Sequence, residues 1–195
     1  MSYARLIIKA FTDGACKKNP GIGGWGWVAY TSRKGWESPI EWSDWGGLEY
    51  TTNQQMELRA MVEVLRFCPR GAKVEVWSDS TYTLGGIVGQ VNKRKGSIQS
   101  ELTLVAAEPQ GWINGWMARS SKRGTQYSKS YWAKKSDLKN SEDWYNIHQL
   151  LLEHAEDGTE LNFGWVKGHA AIEGNEIADR LANVYPMRNT KDDLL

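Results

Sequence analysis

The sequence predicts an α/β domain. Three observations carry that reading: alternating apolar patterns at the start of the chain, helical spacing after residue 52, and repeated switching between the two periods further on. RLIIKAFTDG reads as a first strand ending at Asp13 and Gly14, and GGWGWVAYTS as a second, bounded by glycines. ESPIEWSDWGGLEY is a third, its proline marking an edge or an irregular start, and short turns between the three predict an antiparallel meander. In TNQQMELRAMVEVLRFC the apolar residues Met61, Val64, Leu65 and Cys68 fall three and four apart, so the segment is helical until Pro69-Arg70-Gly71 stops it. AKVEVWSDS is a short strand ending at Asp79, and STYTLGGIV starts a helix that its two glycines weaken. After a long polar middle, SEDWYNIHQLLLEHAED is an amphipathic helix through Trp144, Ile147, Leu150, Leu151 and His154. TELNFGWVKGH is the fifth and last strand. GNEIADRLANVY is the last helix, with an apolar stripe of Ile177, Leu181 and Val184 and with Pro186 as its end.

The whole-chain numbers bound the possibilities. With 195 residues, a net charge of +1 and 41% hydrophobic residues, the chain is long enough for a core and reads as globular rather than disordered. No apolar run approaches the roughly 18 residues of a spanning helix, so no membrane is expected. The N-terminus passes straight into a strand pattern without an apolar signal core, which predicts a cytoplasmic protein. Cys16 and Cys68 have neither metal-ligand spacing nor a disulfide framework and are expected to be plain thiols.

Charge is spread unevenly. From Gln90 to Asn140 ten basic residues stand against three acids, leaving an acidic remainder. Such a run reads either as a solvated lysine-rich surface or as a grip on a polyanion beside a carboxylate cluster. Interleaved Trp112, Trp116, Tyr127, Tyr131 and Trp132 weaken the plain reading, since aromatic rings pack on sugars and bases as well as anchoring helices.

Four carboxylates stand out by location. Asp13 and Asp79 end strands, Glu57 lies in the first turns of the first long helix, and Asp179 comes one turn into the last. Singly each has an ordinary reading: a turn, a first-turn helix acid, a cap. Converging at the carboxyl ends of neighbouring strands, they would repel one another unless a divalent cation neutralised them, and hard oxygen ligands suit magnesium or manganese.

FTDGACKKNPGIGGWGWV, TTNQQMELRAM, VWSDSTY and WVKGHAAIEGNEIADRLA resemble the signature segments of type 1 ribonuclease H, in that family's order and over residues from about 11 to 182. GWINGWMARS and YWAKK are similar in composition to the basic protrusion with which that family grips its substrate. The resemblance implies a ribonuclease H-like fold, a five-stranded mixed sheet flanked by helices on both faces. It implies that Asp13, Glu57, Asp79 and Asp179 bind the metal, two Mg2+ ions with Mn2+ as the alternative. His169, on a glycine-flanked loop between Gly168 and Gly174, is implied as the mobile histidine that assists proton transfer or product departure. The implied reaction is hydrolysis of the RNA strand of RNA–DNA hybrids, in which metal ions activate a water on one side of the phosphorus and stabilise the departing 3′ oxygen on the other.

Substrate contacts are expected from Cys16, Asn19, Thr52, Asn53, Gln54 and Gln55, polar positions next to two of the acids that can reach a 2′ hydroxyl. Trp112, Trp116, Lys134 and Lys135 are expected to extend them through the basic segment. Asn175 is expected to cap the last helix and Glu176 to position His169 or a water. Two places depart from the family pattern. Gln54 and Gln55 stand where many members have an asparagine and an arginine, and GQVNKRKGSIQSELTLVAAEPQ, Gly89 to Gln110, is extra. Its KRKG either extends the nucleic-acid surface or belongs to a neutral surface insertion, the reading favoured here. The expected organisation is one domain over 1–186, with the extra segment at about 89–110 and the basic protrusion at about 111–140, then a flexible tail over 187–195. A monomer with no obligatory protein partner is expected. The alternatives are a catalytically silent hybrid-binding module of the same fold, which need not keep all four acids and the histidine, and a nucleotide-binding ATPase, whose Gly-rich phosphate loop is not found.

Overall fold

The computed structural model describes residues 6–32, 40–91, 94–105, 110–114 and 139–190. Strands β1 (Ile7–Cys16), β2 (Gly21–Ser32) and β3 (Ile40–Thr51) form the expected antiparallel meander. Helix α1 (Asn53–Phe67) crosses over to β4 (Lys73–Ser78), which lies parallel to β1. There follow α2 (Thr81–Ile87), β5 (Thr103–Val105), α3 (Ser141–Glu156), β6 (Glu160–Trp165) and α4 (Glu173–Asn189). The sheet order is β3-β2-β1-β4-β6-β5, mixed in direction.

Alternation along the strands divides the core between two faces. Ile8, Ala10, Val74 and Val76 point to the face that buries Leu58, Met61 and Leu65 of α1 and Trp144, Ile147 and Leu151 of α3. Phe11, Val28, Trp77 and Val166 point to the other, where Ala178 of α4 packs. Both faces are therefore covered, as the resemblance implied.

Several expectations change. The sheet has six strands instead of five, because part of the extra segment pairs antiparallel with β6 as the edge strand β5, Thr103↔Phe163 through Val105↔Leu161. A neutral surface insertion is thus not what Gly89 to Gln110 contains: Val105 is buried, and so is Ser100. β1 does not stop at Gly14 but continues to Cys16, because β2 goes on pairing with it after β4 has ended. Pro186 does not end α4, which runs on to Asn189. The first residues of the expected tail are therefore helical, and 191–195 lie outside the described residues. A proline forfeits one helical hydrogen bond, but here its ring is buried where Gly24 of β2 leaves room, and a side chain at Gly24 would strike both Ala182 and Pro186. The glycines of α2 likewise permit a close approach, since a Cβ on Gly86 would fall inside the Trp144 ring.

Candidate active site

β1 and β4 part company where the acids stand. Their parallel register ends at Thr12↔Ser78, so Asp13 and Asp79 are the first residues past it on either strand. This is the crevice at the carboxyl ends of neighbouring parallel strands. α1 brings Glu57 to the same place, and Gly14 is what lets it come close: a Cβ there would overlap the backbone of Met56 and Glu57. Thr52 fixes the start of that helix, its hydroxyl accepting from the Gln55 N–H at 3.2 Å.

The three carboxylates offer oxygens that all lie within 4.8 Å of one another. Asp13 and Glu57 are each only 7% exposed, and among the described residues no lysine or arginine forms an ion pair with any of the three. Burial, followed by the charges of its neighbours, raises Asp13 to about 8, even though the Gly14 N–H at 2.7 Å favours its ionised form. Glu57 is pushed well above the usual carboxylate range, by burial first and then by Asp13 and Asp79, and its Oε2 is buried without a hydrogen-bond partner. Burial raises Asp79 too, against the pull of the Asn175 side chain and the nearby His169.

Asp179 stands outside this group of three. Its carboxylate is close enough to Asp13 to raise it, and it accepts from the Asn183 amide at 3.2 Å. Asn175 does not cap α4; Ile172 holds the cap position, and Asn175 sits buried in the first turn with its side chain on Asp79. Glu176 is half-buried, with an unpartnered Oε1. His169 is exposed on the loop between β6 and α4, with the left-handed φ of 52°. Gly168 and Gly174 do not supply the left-handed turns, which fall on His169 and Ala171. Gly168 instead lies against the Asp79 carboxylate, and Gly174 against the Phe11 ring.

The polar edge is assembled as a group. The Asn19 side-chain Oδ1 accepts from the Asn53 N–H at 3.2 Å, the Cys16 thiol lies 3.4 Å from the Thr51 backbone carbonyl oxygen, and Gln54 is exposed. Gln55 is half-buried and makes bonds within the protein. Its Oε1 accepts from the Thr51 hydroxyl at 2.7 Å and its side chain bonds Asp143, a buried acid paired with Arg59 at 3.1 Å. Two adjacent residues of one helix face different ways, so Gln54 and Gln55 do not share a surface. Trp112 is 36% exposed and packs edge-on against Trp144, with centroids 4.5 Å apart, beside Tyr82. Trp116, Lys134 and Lys135 lie outside the described residues.

The contacts that Gly14, Trp165 and Gly168 make at the site escaped the sequence reading, which took Gly14 as a strand end and Gly168 as a loop flank. Trp165 donates its indole N–H to the Asp79 carbonyl at 3.1 Å. No local pattern marks these roles, because each is a contact with a distant stretch of chain.

The fold and the buried acids define the class of protein, a nuclease-type carboxylate site on a mixed α/β sheet. A family model described as RNase H matches residues 7–185. Curated relatives named Ribonuclease H include one from Ralstonia nicotianae, 36% identical over 176 residues, covering 90% of this chain and 89% of that protein. Another, from Polynucleobacter asymbioticus, is 33% identical over 182 residues, covering 93% and 90%. Among solved structures, LC9-RNase H1, described as a type 1 RNase H with the type 2 active-site motif, superposes with a TM-score of 0.62 at 22% identity, over 97% of this chain and 76% of that one. The chain belongs to the ribonuclease H family, and its activity is that of an endonuclease in the hydrolase class. Among the described residues no helix is long and apolar enough to cross a membrane.

Proposed function

We propose that the chain hydrolyses the RNA strand of RNA–DNA hybrids at the crevice of Asp13, Glu57 and Asp79, leaving a 5′-phosphate and a 3′-hydroxyl. The observation that carries this reading is three carboxylates, two buried and one half-buried, with oxygens within 4.8 Å of one another and no basic partner among the described residues. Left to itself such a group is costly, and the protonation it favours is the scaffold's response to missing positive charge. The donor set is all hard oxygen, and the unpartnered Glu57 Oε2 fits a divalent cation. Asp13, Glu57 and Asp79, with Asp179 beside Asp13, would hold Mg2+ (two ions, with Mn2+ as the substitute), which supplies activation of water and stabilisation of the departing oxygen.

The chain's own residues do the rest. Gly14 holds the Asp13 carboxylate through its N–H, and Asn175 orients Asp79. His169 is exposed close enough to Asp79 to influence it, placed to take or give a proton as the product leaves. Asn19, Thr52, Asn53 and Gln54 form the polar edge for 2′-hydroxyl recognition, next to the α1 N-terminus, whose dipole favours phosphate. Cys16 lies on the same edge. Trp112 and Trp116, with Lys134 and Lys135, make up the grip on the hybrid. Replacing both lysines with Ala is expected to reduce the slope of log K against log salt by about two, read by titrating hybrid binding over a salt series. One domain over 1–186, acting as a cytoplasmic monomer without an obligatory partner, completes the reading; kinship with bacterial ribonucleases H supports the compartment.

The test is cleavage of one end-labelled RNA presented as hybrid, as single strand and as duplex RNA, with magnesium, with manganese and with chelator. Cutting of the hybrid alone, and only with metal, is the expected result. Tight hybrid binding without cutting would replace the enzyme with a silent binding module.

A further inference from the structure

The extra segment, Gly89 to Gln110, reaches the active site from the far edge of the sheet. The last residues of β6 and the two that follow run between two neighbours. On the inner side the Val166 N–H donates to the Ser78 carbonyl at 3.1 Å, one residue before Asp79. On the outer side Ile98, Gln99 and Ser100 pair with them. The Lys167 N–H donates to the Ile98 carbonyl at 2.8 Å, the Ser100 N–H to the Trp165 carbonyl at 2.8 Å, and Gln99 bridges antiparallel to Val166. The Ser100 hydroxyl accepts from the Trp165 N–H at 2.8 Å and donates to the Glu101 carbonyl at 2.7 Å, so it is fully used, and Ser100 is 8% exposed.

Without this segment the outer N–H groups of Trp165 and Lys167 would be the open edge of the sheet. The next two residues are Gly168, packed on the Asp79 carboxylate, and His169 in its left-handed conformation. Leu102 adds an anchor by packing against the apolar cluster of the second face, which contains Ala178 of α4 next to Asp179. Hydrogen bonds on both sides therefore fix the stem from which His169 projects, and one of the two sides is the extra segment.

We propose that Ile98–Ser100 is a positioning element that sets the stem of the His169 loop, so that the extra segment acts on the turnover step through His169. The inference rests on the role given to His169 above. It accounts for the pairing of 98–100 with Trp165–Lys167, a stretch that β5, paired only with Leu161 to Phe163, does not reach.

The test is a double-mutant cycle on cleavage of the labelled hybrid, with Ser100→Pro, which removes both the N–H and the hydroxyl, His169→Ala, and the pair. Ser100→Ala, which removes only the hydroxyl, is the gentler variant should the proline impair folding. Expected is a loss of about tenfold in kcat for Ser100→Pro with KM for the hybrid within about twofold, and almost no further loss once His169 is already Ala. Amide hydrogen exchange gives a readout apart from activity: Lys167 should lose protection in Ser100→Pro while the α1 and β1 amides keep theirs. Equal losses in both backgrounds, or unchanged Lys167 protection, would overturn the positioning role. His169→Ala cutting at the wild-type rate would instead remove His169 from the mechanism and the brace with it, a result visible in that single variant.

Discussion

The two halves of the active-site crevice are built by opposite means. Asp13, Glu57 and Asp79 stand on strand ends and a helix whose next residues, Leu58 and Met61, are core, and their places follow from packing. Charge works against that half, since burial first and then neighbouring carboxylates, Asp179 among them, raise all three acids. His169 belongs to the other half. It is exposed and left-handed, and backbone hydrogen bonds to β4 and to the extra segment hold its stem. A rigid core can carry unfavourable charge until a cation arrives, whereas a proton-handling group needs access to solvent and product.

The sharpest break in this comparison is chemical. Asp13→Asn or Asp79→Asn is expected to lower kcat by at least about a thousandfold while hybrid binding persists, because only the cation chemistry is lost. Thermal melting of the metal-free variants should be unchanged or higher, since the amide cannot take on the charge that burial and the neighbouring acids disfavour. A variant cutting at the wild-type rate would sink the site assignment.

Two glycines separate packing from positioning. Gly14→Ala puts a Cβ into the backbone of α1 and is expected to destabilise by roughly 3 kcal/mol in urea unfolding. At Gly168 the new Cβ would meet the Asp79 Oδ2 at 2.6 Å, the far end of a side chain that can give way. Gly168→Ala should therefore fold with nearly full stability yet cut about tenfold or more slowly. Similar unfolding midpoints for the two variants would erase the distinction between the halves.

His169→Ala should slow turnover by about 10- to 100-fold without abolishing it. Complete loss, in single-turnover assays, would make the histidine indispensable instead of accessory.

The smallest effect concerns the background against which pH profiles of the site are read. His148 is buried, and burial lowers it to about 4. The unfolded chain takes up that proton below about pH 6.5 and the folded one does not, so the stability is complete above 6.5 and is lost as pH falls from there towards 4. Across that window the wild type should lose roughly 2 kcal/mol from this group. His148→Phe should flatten the slope but not remove it, because His154, buried and hydrogen-bonded to the Leu65 carbonyl, is lowered as well. Urea midpoints at several pH values would show this, and an unchanged slope would contradict the burial of His148.

Much of the fold was legible locally. The meander, the three long helices and the two short elements around Asp79 announced themselves through period, caps and turn residues, which depend on neighbours within a few positions. The acids were legible for the same reason, as each lies at a recognisable element end. β5 was hidden because three residues are too few to show a period, while its pairing depends on an edge of β6 some sixty residues on. Pro186 was misread because its exemption from ending a helix comes from Gly24, far away in β2.

By itself, then, the sequence determined the order of the elements other than β5, the four acids, the histidine loop and the membership in a family of nucleases. Tertiary structure alone decided that three acids meet within 4.8 Å with Asp179 beside them, that Asn175 serves Asp79 instead of the helix end, and that Gln55 bonds Thr51 and Asp143 while Gln54 faces solvent. The physical reason is range. Propensity and periodicity act between neighbours along the chain, but desolvation, repulsion and the clearance a glycine allows depend on which distant stretches come together.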